Sequence, residues 1–375
     1  MHTAIDHQID VQSFSPLQTD CLKLLQQLIS RPSFSGYEER TANLIESFLR
    51  DKHVFTLRKH NNVWCYNLHF DHTKPTILLN SHHDTVKPTA AYTRDPFEPL
   101  IKDGKLFGLG SNDAGGALIS LIATFLHFFK RNDLPFNICL AATAEEENSG
   151  ERGLKCILNE LLPVSFAIVG EPTRMQLAVA EKGSMVLDCK SFGRSGHAAR
   201  EEGDNAIYRA LKDIQWFSSY KFPIESAVMG PVKMTVTEVK AGIQHNIIPA
   251  ECNFTVDVRL TDAYTEKELL HIIQNHTFCE FTVRPGVLKP SCIDHLHPIV
   301  RTGLSIGRTA YTSPTSSDQG WLDVPSIKMG PGESARSHTA DEFIYVEEIK
   351  EGMEIYVQLL DSLFPYLVNG PAIHT

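Results

Sequence analysis

The chain has no CxxC pair, no block of lysines and arginines, no apolar run long enough to cross a bilayer and no internal repeat. Its eight cysteines (21, 65, 139, 156, 189, 252, 279 and 292) stand singly. That spacing excludes a thiolate zinc knuckle or a CxxC redox motif in its usual form. Several lie in apolar runs, as in Ile138-Cys139-Leu140, and read as small buried hydrophobes in a reducing compartment. The formal net charge is −10 without a basic cluster, so neither nucleic acid nor an anionic membrane is an expected partner. The most apolar stretch, Ala117–Phe129, is too short to span a membrane and ends in Lys130-Arg131; it reads as a buried helix. Met1-His2-Thr3-Ala4-Ile5-Asp6 lacks the basic and apolar regions of a secretory leader, so a cytoplasmic protein is expected. Neither Gly108-Leu109-Gly110 nor Gly115-Gly116 is followed by the Lys-Ser/Thr of a phosphate loop. The GxSxG elbow of a serine hydrolase is missing too.

What is present is an ordinary globular composition, 42% hydrophobic and 21% charged over 375 residues. That length accommodates two domains, or one large domain with an insertion. Cys21, Leu24, Leu25 and Leu28 recur at i, i+3, i+4, i+7 and predict a helix over 17–30. Thr41, Leu44, Ile45 and Phe48 repeat the pattern, and Ser35 with Glu38 reads as a capping box for that second helix. Three short runs, Thr76–Leu79, Asn137–Ala142 and Phe166–Val169, are apolar at nearly every position. Such runs fit strands buried on both faces of a mostly parallel sheet flanked by helices. In such sheets ligands bind beyond the carboxyl ends of strands. The three runs are followed by Ser81-His82-His83-Asp84, Glu145-Glu146-Glu147 and Glu171-Pro172.

Near residue 178 the texture changes. Ser184–Lys190, Lys233–Val239 and Phe254–Arg259 alternate with period two, as in a sheet with one wet face. Helical stretches fall near 204–218 and 265–275. The resulting order β-α-β-β-α-β, ending near Phe281-Thr282-Val283, is that of a ferredoxin-like α+β domain. The expectation is therefore an α/β domain over 1–178 and 296–375 with a mixed, mostly parallel sheet. Residues 179–295 are expected to form a smaller domain inserted into it.

Zinc is held by histidine nitrogen and carboxylate oxygen, and catalytic sites keep a position open. His82, Asp113, Glu147, Glu171 and His338 are the candidate donors. Two histidines and three carboxylates would give each of two ions one histidine and one terminal carboxylate, with the third carboxylate bridging. His83 alternates with His82 on extended backbone and points to the other face, so it reads as structural. Most of the 17 histidines, His295 and His297 among them, must be bystanders.

The pieces His82-x-Asp84-Thr85-Val86, Gly108-x-Gly110-x-x-Asp113, Thr143-Ala144-Glu145-Glu146-Glu147, Gly170-Glu171-Pro172-Thr173, Gly196-His197, Asn246-x-x-Pro249 with Asp257-x-Arg259, and Gly330-Pro331-Gly332 followed by His338-Thr339-x-Asp341-Glu342 occur in this order over roughly residues 20–360. Together they resemble the M20 metallopeptidase family, within the acetylornithine deacetylase and succinyl-diaminopimelate desuccinylase group. The resemblance implies two zinc ions, replaceable by cobalt. One would be held by His82 and Glu171 and the other by Glu147 and His338, with Asp113 bridging. It implies that Asp84 orients His82 and that Glu146 is the general base, although Glu145 is an alternative within the three-Glu run. It further implies a homodimer formed through the inserted domain, in which His197 reaches the partner's site to stabilise an oxyanion. Asn246 and Arg259 would bind substrate, although a surface ion pair is a rival role for Arg259.

The implied activity is removal of the acyl group from an N-acyl amino acid, N-acetylornithine or N-acetylcitrulline, in arginine biosynthesis. A desuccinylase, a dipeptide exopeptidase and a non-catalytic metal-binding scaffold are the rivals. The chain departs from the family pattern at Ser81, where a glycine is usual. It also has no Lys in Asp113-Ala114-Gly115-Gly116-Ala117 and no Arg in Ser316-Ser317-Asp318-Gln319-Gly320. The two missing cations argue against a dicarboxylic acyl group.

Overall fold

The structure, a computed structural model, describes residues 15–369. The segment Met1–Asp6 discussed above lies outside them. The chain divides into two compact units. One comprises Met1–Val179, Cys292–Tyr311 and Ser317–Thr375, the other Ala180–Ser291 and Thr312–Ser316.

The first unit opens with the helix Pro16–Ile29, which buries Cys21, Leu24, Leu25 and Leu28. Ser15 and Gln18 close a capping box at its start. The helix Glu39–Asp51 follows. The capping box expected from Ser35 and Glu38 does not form: the N-cap is Glu38, with no side-chain cap bond. Gly36, at φ +88°, turns the chain between Ser35 and the helix, and this takes Ser35 out of capping position. Its Oγ donates instead to Asp84 Oδ2 at 2.8 Å.

The three apolar runs are neighbouring parallel strands. Thr76–His82 lies between Asn137–Thr143 and Phe166–Val169, and every residue of the three is buried. Ser326–Lys328 extends the parallel part beyond Phe166–Val169. Asn62–Tyr66 and Thr56–Lys59 add antiparallel strands beyond Asn137–Thr143. The first run continues as strand through Asn80, Ser81 and His82 because its buried polar side chains find partners. Ser81 Oγ donates to Gly170 O at 2.8 Å, and the Asn80 side-chain amide is hydrogen-bonded with Thr143 Oγ1 at 2.9 Å. The register pairs His82 with Thr143 and Asn80 with Val169, so all three strands end at one edge.

The helix Gly116–Phe128 is buried along almost its whole length, as its sequence predicts. Each of its fully buried Leu, Ile and Phe side chains is worth about 1.5–3 kcal/mol. It packs against the long helix Val346–Asn369. Among the described residues no helix is long and apolar enough to cross a membrane. Cys21, Cys65, Cys139, Cys189, Cys252 and Cys279 are buried.

The second unit carries a four-stranded sheet in the order Lys233–Ala241, Glu251–Leu260, Gly183–Phe192, Glu280–Val283, with antiparallel neighbours throughout. The first and second strands in chain order are thus separated by the third, which is the ferredoxin-like arrangement. The helices Ala206–Ser219 and Glu266–His276 cover its core of Leu187, Phe217, Val256, Val258, Leu269 and Ile273. Thr265 and Glu268 form a reciprocal capping box at the start of the second helix.

Candidate metal centre

The aligned carboxyl ends of the parallel strands bring three of the predicted donors into one place. His82 is the last residue of its strand, Glu147 follows Asn137–Thr143 by a short turn, and Glu171 follows Phe166–Val169. Asp113 arrives from the loop ahead of the helix Gly116–Phe128, and His338 from the segment before the strand Phe343–Tyr345. His338 sits at φ +59°, a conformation that its loop must hold against steric cost.

The donors fall into two triads that share Asp113: His82, Asp113 and Glu171, and Asp113, Glu147 and His338. Within each triad the ligand atoms lie within 4.8 Å of one another. His82 Nε2 is 3.3 Å from Asp113 Oδ1 and 3.6 Å from Glu171 Oε1. His338 Nε2 is 2.9 Å from Glu147 Oε2 and 3.7 Å from Asp113 Oδ2. One oxygen of Asp113 therefore faces each histidine. The donor chemistry, imidazole nitrogen with carboxylate oxygen, suits a pair of divalent cations.

Electrostatics point the same way. Burial pushes Glu171 up to about 8 against the pull of His82. Burial, and then the nearby Asp113, also raises Glu147. The hydrogen bond to Glu147 lifts His338 to about 9. For His82, burial works against the charged form, but Asp113 and Asp84 outweigh it and hold the imidazole well above its ordinary range. So many buried carboxylates repel one another, and cations placed among them relieve that cost.

Glu146 is half-buried beside the first triad, its Oε2 3.9 Å from His82 Nε2. Burial holds it well above the usual carboxylate range. Glu145 turns away, and its Oε2 accepts from Arg152 N at 3.1 Å. Asp84 has two tasks. Its backbone carbonyl lies 2.9 Å from His82 Nδ1 and its Oδ1 3.4 Å from the same atom, so it fixes the imidazole. Its carboxylate also accepts from the amides of Glu146 and Glu147, each at 3.1 Å. His83 is buried on the other side, between Thr41 Oγ1 and Asn61 O at 2.9 Å each, and burial lowers it to about 4. His297 caps the helix Pro298–Ser305, and His295 is exposed.

Two carboxylates received no role from sequence reasoning. Glu342 is 2% exposed and gathers the amides of Gly110, Asn112 and Asp113 at 3.1, 2.8 and 3.0 Å. It thereby shapes the loop that presents Asp113. Asp318, also 2% exposed, accepts from Thr143 Oγ1 at 2.8 Å and is pushed up to about 6 by burial. Neither has a sequence signal beyond an acid inside a motif, because the amides that Glu342 binds and the hydroxyl that Asp318 binds are far away in the chain.

The remaining predicted residues belong to the second unit. His197 is exposed and pairs with Ile247 in a two-residue ladder, Gly196–His197 against Ile247–Ile248. The adjoining Asn246 accepts from Ala198 N at 3.0 Å through its backbone carbonyl, and its side-chain Oδ1 is buried without a hydrogen-bond partner. The guanidinium of Arg259 is held in a fork by Asp257 at 2.8 and 2.9 Å, with Ser316 Oγ at 3.2 Å.

A sequence model of peptidase family M20/M25/M40 matches residues 78–362. The chain is 26% identical over 374 residues to an acetylornithine deacetylase of Proteus mirabilis, an alignment covering 91% of this chain and 96% of that one. It is 25% identical over 387 residues to a succinyl-diaminopimelate desuccinylase of a Caulobacter species, covering 93% and 97%. Among solved structures it is similar to an M20 family metallo-carboxypeptidase of Sulfolobus solfataricus, with a TM-score of 0.76 over 92% of this chain and 99% of that one. At 16% identity that likeness is one of fold.

Proposed function

The chain belongs to peptidase family M20/M25/M40 and is a metal-dependent hydrolase of amides; from that premise we propose that it removes the acyl group from an N-acyl amino acid. The observation that carries the proposal is the pair of donor triads sharing Asp113, with the half-buried Glu146 beside them.

In this reading His82 and Glu171 would hold one ion and Glu147 and His338 the other, with Asp113 available to both. Zinc is the proposed metal, and cobalt is expected to substitute. When bound, a pair of such cations supplies Lewis acidity toward water and toward an amide carbonyl. Glu146 takes the proton of the attacking water and delivers it to the departing amine nitrogen. Its burial suits that task, because a carboxylate raised in affinity can hold a proton between the two transfers. Asp84 keeps His82 in one tautomer and fixes the amides of the base and its neighbour.

We assign to His197, supplied by the second copy of a homodimer, the hydrogen bond to the oxyanion that forms at the carbonyl oxygen. Asn246 and Arg259 bind the substrate's carboxylate, the latter with a guanidinium already oriented by Asp257. In mixed dimers of His197→Ala and Glu146→Ala chains, one of the two sites is intact. Their expected activity is a sizeable fraction of wild type, up to about half. Inactive mixed dimers of proven composition would rule out a shared site.

The proposed substrate is N-acetylornithine or N-acetylcitrulline, which would place the protein in arginine biosynthesis in the cytoplasm. Support comes from the deacetylase relative and from the missing Lys after Asp113 and missing Arg in 316–320. The test is amine release from N-acetyl and N-succinyl ornithine, citrulline and diaminopimelate, with a small dipeptide alongside. Preference for an N-acetyl substrate by at least about tenfold in kcat/KM supports the reading. Preference for an N-succinyl substrate moves it to the desuccinylase relative, and turnover of the dipeptide alone moves it to an exopeptidase.

A further inference from the structure

We infer that Glu38 is a positioning residue for Glu146: it fixes the backbone of the turn that carries the base. The inference rests on the reading of Glu146 as general base.

The turn after the strand Asn137–Thr143 lies in no regular element, so no ladder holds its amides. Side-chain oxygens hold them instead, one after another. Ala144 N donates to Asn62 Oδ1 at 3.0 Å, Glu145 N to Glu38 Oε1 at 3.2 Å, Glu146 N to Asp84 Oδ1 and Glu147 N to Asp84 Oδ2, both at 3.1 Å. Of these acceptors, Glu38 and Asp84 are carboxylates with 0% exposure. A buried carboxylate is costly unless it is fully hydrogen-bonded. Glu38 meets that condition with three donors: Gly36 N at 2.5 Å and Glu145 N on one oxygen, Asn61 Nδ2 at 2.8 Å on the other. None of the three is a cation, so Glu38 is spent on geometry rather than on charge pairing.

The geometry it holds is the strained one. Glu145 sits at φ +54°, in the left-handed region that a residue with a Cβ enters at a cost. That twist sends the Glu145 side chain toward Arg152 and leaves Glu146 facing the metal-ligand cluster. Releasing the Glu145 amide removes one of the bonds that hold the twist and leaves Gly150 N on Glu145 O, at 2.8 Å, to hold it from the other side. Ser35 completes the support from the same segment by donating to Asp84 Oδ2. The residues that looked like a helix cap thus brace the base from both of its flanking amides.

The test compares Glu38→Gln with Glu38→Ala and with Glu38→Met, which keeps the side chain's length without an acceptor. Metal content, melting temperature, kcat and KM are read for each. Misplacing a catalytic group by about 1 Å costs on the order of 10²-fold in rate. Glu38→Ala and Glu38→Met are therefore expected to lose about 10²-fold in kcat, with KM within about threefold and metal content unchanged. Glu38→Gln keeps one oxygen for Gly36 N and Glu145 N, and an Asn61 amide turned over can meet its NH2; it is expected to recover most of kcat. Folded Ala and Met variants with wild-type kcat would overturn the inference. So would kcat, KM and metal content failing together, or Glu38→Gln no better than Glu38→Met. If Ala does not fold, the Gln and Met pair decides. Failure of the base reading is a separate result: Glu146→Gln at full activity, whatever Glu38 variants do.

Discussion

Replacing Glu146 with Gln is expected to leave metal content and melting temperature near wild type and to lower kcat by about 10²–10⁴-fold or more, the usual worth of a positioned acid–base group. The substitution removes a proton acceptor while keeping size and shape. Glu146 belongs to neither donor triad, so the ligand set stays complete. The hydrogen bond to Asp84 is donated by its backbone N–H and survives the exchange. Among the three glutamates of the run, Glu145 is turned toward Arg152 and Glu147 toward His338. Glu145→Gln should accordingly cost far less in kcat, and Glu147→Gln should show its effect first in metal content. Metal assay beside steady-state kinetics separates the three. A Glu146→Gln protein with wild-type kcat would remove the base from the account.

The second large effect concerns Asp113. Because one of its oxygens faces each histidine, Asp113→Ala should strip both ions, whereas Glu171→Ala and His338→Ala should each leave about one per chain. The count is read by elemental analysis after dialysis against a weak chelator. The same proteins should differ in stability, since ligands that bind only the folded state add about 2.7 kcal/mol at 100-fold above their dissociation constant. An Asp113→Ala chain that keeps one tightly bound ion would show that the two triads are independent and that no ligand is shared.

Much of this site is visible in the sequence because the sheet is buried on both faces. Strands of that kind have few polar residues, so a histidine or carboxylate at their carboxyl ends stands out. Three such strands in register explain why His82, Glu147 and Glu171 meet although nearly 90 residues of chain separate the first from the last. What the sequence hides is whatever is settled by partners far along the chain. Ser35 and Glu38 fit the local spacing of a capping box, yet Gly36 turns them to Asp84 and Glu145 instead. Glu342 offers no periodic signal that it binds amides 229 to 232 positions away. The fork between Asp257 and Arg259 could have been read, since residues i and i+2 of a strand share a face.

The most direct test of a metal-dependent amide hydrolase at this cluster is amine release by chelated protein as zinc or cobalt is returned stepwise. Release is expected to be negligible without metal and to rise to a plateau near two equivalents per chain, with Glu146→Gln flat throughout. Equal release before and after chelation would contradict it, as would a fully loaded chain that hydrolyses no N-acyl amino acid and no dipeptide.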